Sequence, residues 1–189
     1  IDCAMTDGSA VIASMIWGAR ALGVWADERE VNRLDGGAPY YDTYECSDGK
    51  YVAIGSIEPQ FYALLRGATG LDADPDFDTQ TDQSKWPALK LKMADLFKTK
   101  SRGEWCEIME MTDICFAPVL SMDEAPRHPH NVARQSFIDV GGTIMPAPAP
   151  RYSATLTDHP TPAPALGADG DALLAELGYD AAKIAASRD

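Results

Sequence analysis

The stretch YYDTYECSDGKYVAIGSI, residues 40–57, predicts a definite local structure. Two runs rich in tyrosine and β-branched residues, 40–46 and 50–57, flank Ser47-Asp48-Gly49. Aromatic and β-branched residues favour strands, and a short polar loop that contains Asp-Gly is typical of a hairpin. The sequence therefore predicts an antiparallel hairpin within a compact unit of mixed helix and strand, at about residues 38–144.

Helical patterns follow the hairpin along the chain. Glu58-Pro59 opens a helix that runs to about Leu65, because proline suits a first helical turn. Residues 84–87 open a second helix with an apolar face, and residues 101–104, Ser-Arg-Gly-Glu, match a capping box that opens a third. The remaining elements predicted for this unit are a polar surface loop at 72–85, a buried strand at 114–120 and short helical turns at 122–134.

The two ends of the chain differ from this unit. Residues 5–22 have apolar side chains at helical spacing, and Asp2 stands just before them, near an N-cap position. Residues 145–164 are rich in proline and predict an extended linker, after which residues 168–189 return to helix with an interruption at Gly178-Tyr179. A lone helix cannot bury its apolar stripe by itself, so we expect both ends to pack on a body outside these residues.

Composition and charge exclude several classes of protein. The 189 residues are 46% hydrophobic and 24% charged, which is an ordinary globular balance. The net charge of −13 argues against nucleic acid or an anionic membrane as a partner. No apolar run approaches the roughly 18 residues of a membrane span, and no signal segment opens the chain. The ending, residues 187–189, is not of the peroxisomal Ser-Lys-Leu kind, and we expect a cytoplasmic protein.

Metal sites and disulfides are not expected either. The four cysteines form no Cys-x-x-Cys pair, and the three histidines lie far in sequence from most of them. We interpret the cysteines as reduced thiols that mostly serve packing, and we expect neither a zinc site nor a disulfide scaffold. The residues in question are Cys3, Cys46, Cys106, Cys115, His128, His130 and His159.

Five segments carry a resemblance to a known family. They read IDCAMTDG (1–8), LDGGAPYYDTYECSDGKYVAIGSIEPQFY (34–62), KWPALKLKMADLF (85–97), EWCEIMEMTDICFAPVL (104–120) and HPHNVARQSF (128–137). In this order they resemble the α-methylacyl-CoA racemases of the class III (CaiB/BaiF type) CoA-transferase family. The resemblance covers nearly the whole chain but only the second half of such a protein, so we expect Ile1 to be an interior point of a longer chain.

The resemblance implies an α/β fold with a particular division of the chain. Residues 1–25 would be a helix of a doubly wound, CoA-binding large domain whose remainder is missing here. Residues 26–144 would form a linker and a small α+β domain, and residues 145–189 a strap with helices that return to the large domain. Family members are interlocked homodimers, with each active site between the large domain of one subunit and the small domain of the other.

The resemblance also implies a reaction, the epimerisation of 2-methylacyl-CoA thioesters by 1,1-proton transfer through an enolate. Acyl-CoA is then a substrate and not a cofactor. Two alternatives remain. The first is a family CoA-transferase, in which the same catalytic aspartate attacks as a nucleophile. The second is a fragment without catalysis that only associates with a partner.

Asp2 is the residue to which the resemblance assigns catalysis. An aspartate at a helix N-terminus can remove an α-proton while nearby backbone amides stabilise the enolate oxygen. A simpler role for Asp2, compatible with catalysis, is that of an N-cap residue, which would stabilise the helix by about 1 kcal/mol. The family's second acid/base group is a histidine of the N-terminal half, so His128, His130 and His159 are interpreted as turn residues with loop-fixing hydrogen bonds.

Five residues are candidate substrate contacts, and the three tyrosines among them resemble family positions near the acyl pocket. The glycines among them can instead serve turn conformations, and the tyrosines, together with Phe61, can instead fill the core of the small domain, which we favour. These candidates are Gly36, Gly37, Tyr40, Tyr41 and Tyr62.

Overall fold

A computed structural model describes residues 2–186 of the chain. The chain divides into two compact units, with the boundary between Leu120 and Ser121. Ile1 and residues 187–189, the last of the predicted terminal helix, lie outside the described residues. No helix among the described residues combines the length and the apolar character needed to cross a bilayer.

A three-stranded antiparallel sheet forms the centre of the first unit. Strands β1 (Tyr41–Glu45) and β2 (Tyr51–Gly55) pair as a hairpin, and β2 also pairs with β3 (Phe116–Pro118). The predicted hairpin is confirmed. The predicted strand at 114–120 is shorter than expected, because Cys115 adopts φ 60°, which is incompatible with extended backbone.

Five helices accompany this sheet: α1 (Met5–Ile12), α2 (Ser14–Ala21), α3 (Pro59–Thr69), α4 (Trp86–Phe97) and α5 (Arg102–Met109). The helix predicted over 5–22 is divided at Ala13, where the Ser14 hydroxyl donates to the Val11 carbonyl oxygen at 2.6 Å. Such local side-chain bonds compete with the helical ladder. The predicted loop at 72–85 contains three short 3₁₀ turns, and Phe77 in one of them is buried.

The core of the first unit lies between one face of the sheet and helices α3 to α5. Strand residues Tyr44, Val52 and Ile54 point into it, as strand alternation requires. Phe97 of α4 is fully buried, its ring stacked on Tyr44 and edge-on to Trp105, with 5.1 Å between ring centroids in each case. Helices α1 and α2 bury no residue, which agrees with the expectation that their apolar side chains need a further partner.

The second unit has little core among its described residues, 121–186, of which only Val140 is buried. Its hairpin, β4 (Phe137–Val140) with β5 (Thr143–Pro146), was not expected from the sequence. Gly141 and Gly142 turn it with φ of 64° and 87°, values that glycine adopts without strain. The proline-rich segment follows without regular structure, and the helices of this unit are α6 (Pro129–Ala133), α7 (Gly170–Glu176) and α8 (Ala181–Ala186).

The capping box of α5 is confirmed and makes a pH-dependent contribution to stability. The Glu104 carboxylate accepts from the Ser101 backbone amide at 2.8 Å and from the Ser101 hydroxyl at 2.7 Å. The Ser101 hydroxyl, followed by the backbone amide, lowers the pKa of Glu104. A lowered pKa in the folded state means stability that is present above the unfolded pKa and lost as the pH falls through the folded pKa.

We therefore expect Glu104→Gln to lower the free energy of unfolding more at about pH 7 than at about pH 3, because protonation of the native carboxyl at low pH removes its charge. Urea titrations at both pH values measure the difference. Glu107→Gln, an exposed change on the same helix, is the control and should show no such pH dependence. An equal loss at both pH values for Glu104→Gln would contradict the contribution of the charge.

Candidate functional site

The open face of the sheet carries a depression of about 580 Å³. Its floor is a row of small side chains, because Thr43, Ala53 and Ala117 are direct cross-strand neighbours. The Tyr41 ring lies beside it, against the backbone of Gly55, where an added Cβ would be 3.5 Å from the ring. A floor of small residues beside an aromatic wall can accept an apolar group.

The turn at residues 34–36 forms a second wall and is held by hydrogen bonds within its own segment. The buried Asn32 side chain accepts from the Ala26 amide at 2.7 Å and donates to the Asp35 carboxylate at 2.7 Å. Asp35 also accepts from the backbone amides of Asn32 and Gly37. A Cβ at Gly37 would lie 2.5 Å from the Asn32 carbonyl oxygen, so only glycine fits this approach.

A charged pair joins the two walls. Lys90 Nζ, from α4, lies 2.7 Å from the Asp42 carboxylate of β1 and also donates to the Gly36 carbonyl oxygen. Asp42 and Gly36 both line the depression. Sequence reasoning did not single out Lys90 or Asp42, although both lie in segments that carry the family resemblance.

The five candidate substrate contacts separate into two groups. Gly36 and Tyr41 line the depression, whereas Gly37 packs against the backbone of its own turn. Tyr40 and Tyr62 lie in the core, 1% and 6% exposed, with their rings edge-on to each other at 5.7 Å. In this structure these two tyrosines are packing residues, which agrees with their interpretation as core residues of the small domain.

Burial and hydrogen bonding fix both core tyrosines as neutral phenols. The Tyr62 hydroxyl donates to the Phe77 carbonyl oxygen at 3.0 Å, and burial raises the pKa of Tyr62 to about 12. Burial likewise raises the pKa of Tyr40, whose ring also lies edge-on to Trp86. Neither phenol is suited to proton transfer at neutral pH.

The cysteines are less uniform than the sequence suggested. Cys46 is buried and Cys106 half-buried, as packing thiols would be, and burial raises the pKa of each to about 11. Cys3 and Cys115 are exposed, so the expectation of packing residues is wrong for these two. Cys115 lines the depression, where its positive φ ends the extended backbone before β3.

Asp2 lies in an extended, exposed segment before α1 and is not among the described residues that line the depression. The N-cap of α1 is Ala4, and no side chain caps this helix. The capping role considered for Asp2 is therefore wrong. The first backbone amides of α1 have no partner within the helix, because intrahelical bonds begin with the Gly8 amide, which donates to the Ala4 carbonyl oxygen at 3.2 Å.

The histidines all belong to the second unit. His128 is the N-cap residue of α6, and His130 lies in its first turn. The His159 Nε2 atom lies 3.1 Å from the Asp139 carbonyl oxygen, a contact that ties the proline-rich segment to the β4–β5 hairpin. Within residues 2–186 no three His, Cys, Asp or Glu side chains are grouped to hold a metal ion.

Comparison with known proteins gives consistent results. The chain is 45% identical to α-methylacyl-CoA racemase of Mus musculus over 82% of its own length and 41% of that protein. It is 39% identical to α-methylacyl-CoA racemase of Homo sapiens over 97% of its own length and 48% of that protein. The chain thus spans about half the length of the curated relatives it matches.

A solved structure agrees with the architecture. The crystal structure of a CaiB/BaiF family protein from Brucella suis matches 89% of this chain and 45% of that chain, with a TM-score of 0.67 and 22% identity. This similarity confirms the predicted fold class. The sequence profile of CoA-transferase family III matches residues 1–170. The chain belongs to CoA-transferase family III.

Proposed function

We propose that the protein containing this chain is a racemase of 2-methylacyl-CoA thioesters, an isomerase in which Asp2 transfers one of the two protons. The observation that carries the proposal is the identity of 39–45% to two α-methylacyl-CoA racemases over most of this chain. The position of Asp2 before α1 supports it, because an exposed carboxylate beside unpaired backbone amides suits proton abstraction next to a thioester.

The chemistry divides between two faces of the substrate. A base removes the α-proton from one face, and an acid returns a proton to the other face, which inverts the centre. Asp2 serves one face, and the negative charge on the thioester oxygen is stabilised by donors fixed near it, such as the first amides of α1. The group for the opposite face comes from outside this chain, from the portion of the relatives' length that it does not span.

The depression on the sheet is proposed to receive the acyl part of the substrate. Its floor of small side chains and the Tyr41 ring fit an apolar chain, and Gly36 bounds it on the other side. Tyr40 and Tyr62 lie in the core of the same unit, and Gly37 belongs to the turn that contains Gly36. The proposal includes an interlocked homodimer, in which the depression of one subunit and Asp2 of the other would serve one active site. It also includes a cytoplasmic location.

Deuterium exchange tests the reaction directly. The full-length protein that contains this chain is incubated with each pure enantiomer of a 2-methylacyl-CoA in deuterated water. A racemase should incorporate deuterium at the α-carbon from both enantiomers and form the opposite enantiomer. Absence of exchange in a folded full-length protein would overturn the proposal.

The second candidate is a CoA-transferase, which the family's name favours. In that reaction the Asp2 carboxylate attacks the thioester carbonyl, expels CoA as a thiolate and forms an acyl-enzyme anhydride. Hydroxylamine that attacks the aspartyl carbonyl of this anhydride would release the acyl group as a free carboxylate and leave a hydroxamate at Asp2, detectable by mass spectrometry. The racemase mechanism predicts no such adduct, because Asp2 accepts only a proton.

The 189-residue chain alone should not exchange the α-proton. Exchange requires bound substrate, and most of the CoA-binding large domain is expected to lie outside this chain. The net charge of −13 also repels the phosphates of CoA. We expect deuterium at the α-carbon at the level of the buffer blank, measured by mass spectrometry after incubation with either enantiomer. Incorporation well above that level would contradict the division of the site between this chain and the remainder.

A further inference from the structure

We propose that Lys90 is a positioning residue that sets the width of the depression and thereby the acyl preference of the site. The inference rests on the proposed function, since it concerns the wall that would receive the acyl group. Its structural basis is independent of that function, because it concerns how Lys90 of α4 contacts Gly36 and Asp42, which lie far from it in sequence.

Lys90 connects two walls of the depression. One wall is the turn that contains Gly36, and the other is β1 with Tyr41 and Asp42. Lys90 Nζ contacts both walls, through the Gly36 carbonyl oxygen and the Asp42 carboxylate at 2.7 Å. A single ammonium group therefore fixes the separation of the turn from the strand.

Helix α4 gives Lys90 a rigid base. The residues of α4 that face the core, Trp86, Leu89, Met93 and Phe97, are at most 3% exposed. The Lys90 and Asp42 side chains are 26% and 24% exposed, so their attraction is screened less than that of an exposed pair. The remaining Asp42 oxygen accepts from the Thr43 amide at 2.8 Å, which orients the carboxylate.

Direct attraction of substrate phosphates is a less suitable role for Lys90. Its charge is already matched by Asp42, and one of its donors is used by a backbone carbonyl. If Lys90 contacted a phosphate of CoA, its replacement would raise KM equally for every CoA thioester and would weaken inhibition by free CoA. If Lys90 instead positions the walls, its replacement changes the preference among acyl groups and leaves inhibition by free CoA unchanged.

Lys92 provides a matched control on the same helix. Its Nζ atom lies 2.6 Å from the Asp74 carboxylate and 2.7 Å from that of Asp76, and none of the three lines the depression. Lys92→Met therefore removes a lysine with two carboxylate partners without touching the walls. Lys90→Arg retains a cation of similar reach and is the conservative variant.

The kinetic test uses the full-length protein and two 2-methylacyl-CoA thioesters, one with a short and one with a long acyl chain. We expect Lys90→Met to change the ratio of their kcat/KM values by about tenfold, mainly through KM, because small displacements of positioning groups have effects of that order or larger. Lys92→Met should leave the ratio unchanged, and Lys90→Arg should restore much of it. Inhibition by free CoA should be the same in all variants.

A second measurement needs no activity. Amide hydrogen exchange, read by NMR on the same proteins, should be faster at Gly37 and Tyr41 in Lys90→Met by about tenfold or more, and unchanged there in Lys92→Met. An unaltered kcat/KM ratio in folded Lys90→Met, or equal exchange in the two variants, overturns the inference. If the unmodified protein shows no racemase activity, the proposed function fails, and the amide measurement alone decides whether Lys90 holds the walls.

Discussion

Replacing Asp2 by asparagine in the full-length protein should remove most of the α-proton exchange and leave substrate affinity nearly unchanged. Asparagine keeps the size and polarity of the side chain but cannot accept and return a proton near neutral pH. Groups of this kind contribute about 10²- to 10⁴-fold in rate, and the loss should be of that size. Because Ala4 and not Asp2 is the N-cap, the substitution should not disturb α1.

The measurement is deuterium wash-in from each pure enantiomer, analysed separately. The enantiomer whose proton faces Asp2 should lose exchange most, whereas the other can still exchange without inversion. Asp7→Asn is the matched control, because Asp7 is an exposed acid in the first turn of the same helix. If Asp2→Asn exchanges and inverts both enantiomers at nearly the original rates, Asp2 is not a proton-transfer group.

The largest loss of stability is expected from Phe97→Ala. Phe97 is fully buried and its ring contacts Tyr44 and Trp105, so truncation removes two aromatic contacts and leaves a cavity. Such replacements cost about 3–5 kcal/mol, a large part of the roughly 5–15 kcal/mol that stabilises a typical domain. Urea denaturation followed by tryptophan fluorescence measures the change. The Trp105 Nε1 atom donates to the Phe97 backbone carbonyl oxygen, so this bond can persist when the Phe97 side chain is truncated.

Leu91→Ala is the control for this measurement. Leu91 lies on the same helix but is 70% exposed, and its loss should change the free energy of unfolding by no more than about 0.5 kcal/mol. A Phe97→Ala variant that unfolds at nearly the urea concentration of the unchanged protein would contradict the placement of Phe97 in the core.

Local signals predicted local structure well. The hairpin at 40–57 and the capping box at 101–104 both depend on contacts between residues a few positions apart, so the sequence contains all the information that they need. The β4–β5 hairpin had a local signal as well, the Gly141-Gly142 pair between two short apolar runs. We predicted an extended linker from residue 145 onward because the residues just after this hairpin are rich in proline.

The candidate site was predicted less completely. Tyr40 directly precedes β1 and Tyr41 begins it, and side chains of consecutive residues in extended backbone point to opposite faces, so only one of the two rings can face the depression. Sequence alone does not say which face is covered by helices. The structure places Tyr40 in the core and Tyr41 at the depression.

By itself, the sequence determined the family, the hairpin and the position of Asp2 before a helix, because these depend on residue order and short-range contacts. Only the tertiary structure decided which face of the sheet is open, that Cys115 is exposed beside β3, and that Lys90 joins Gly36 to Asp42. These features arise where segments far apart in sequence come together. Their geometry is set by the packing of α4 on β1, which no local pattern encodes.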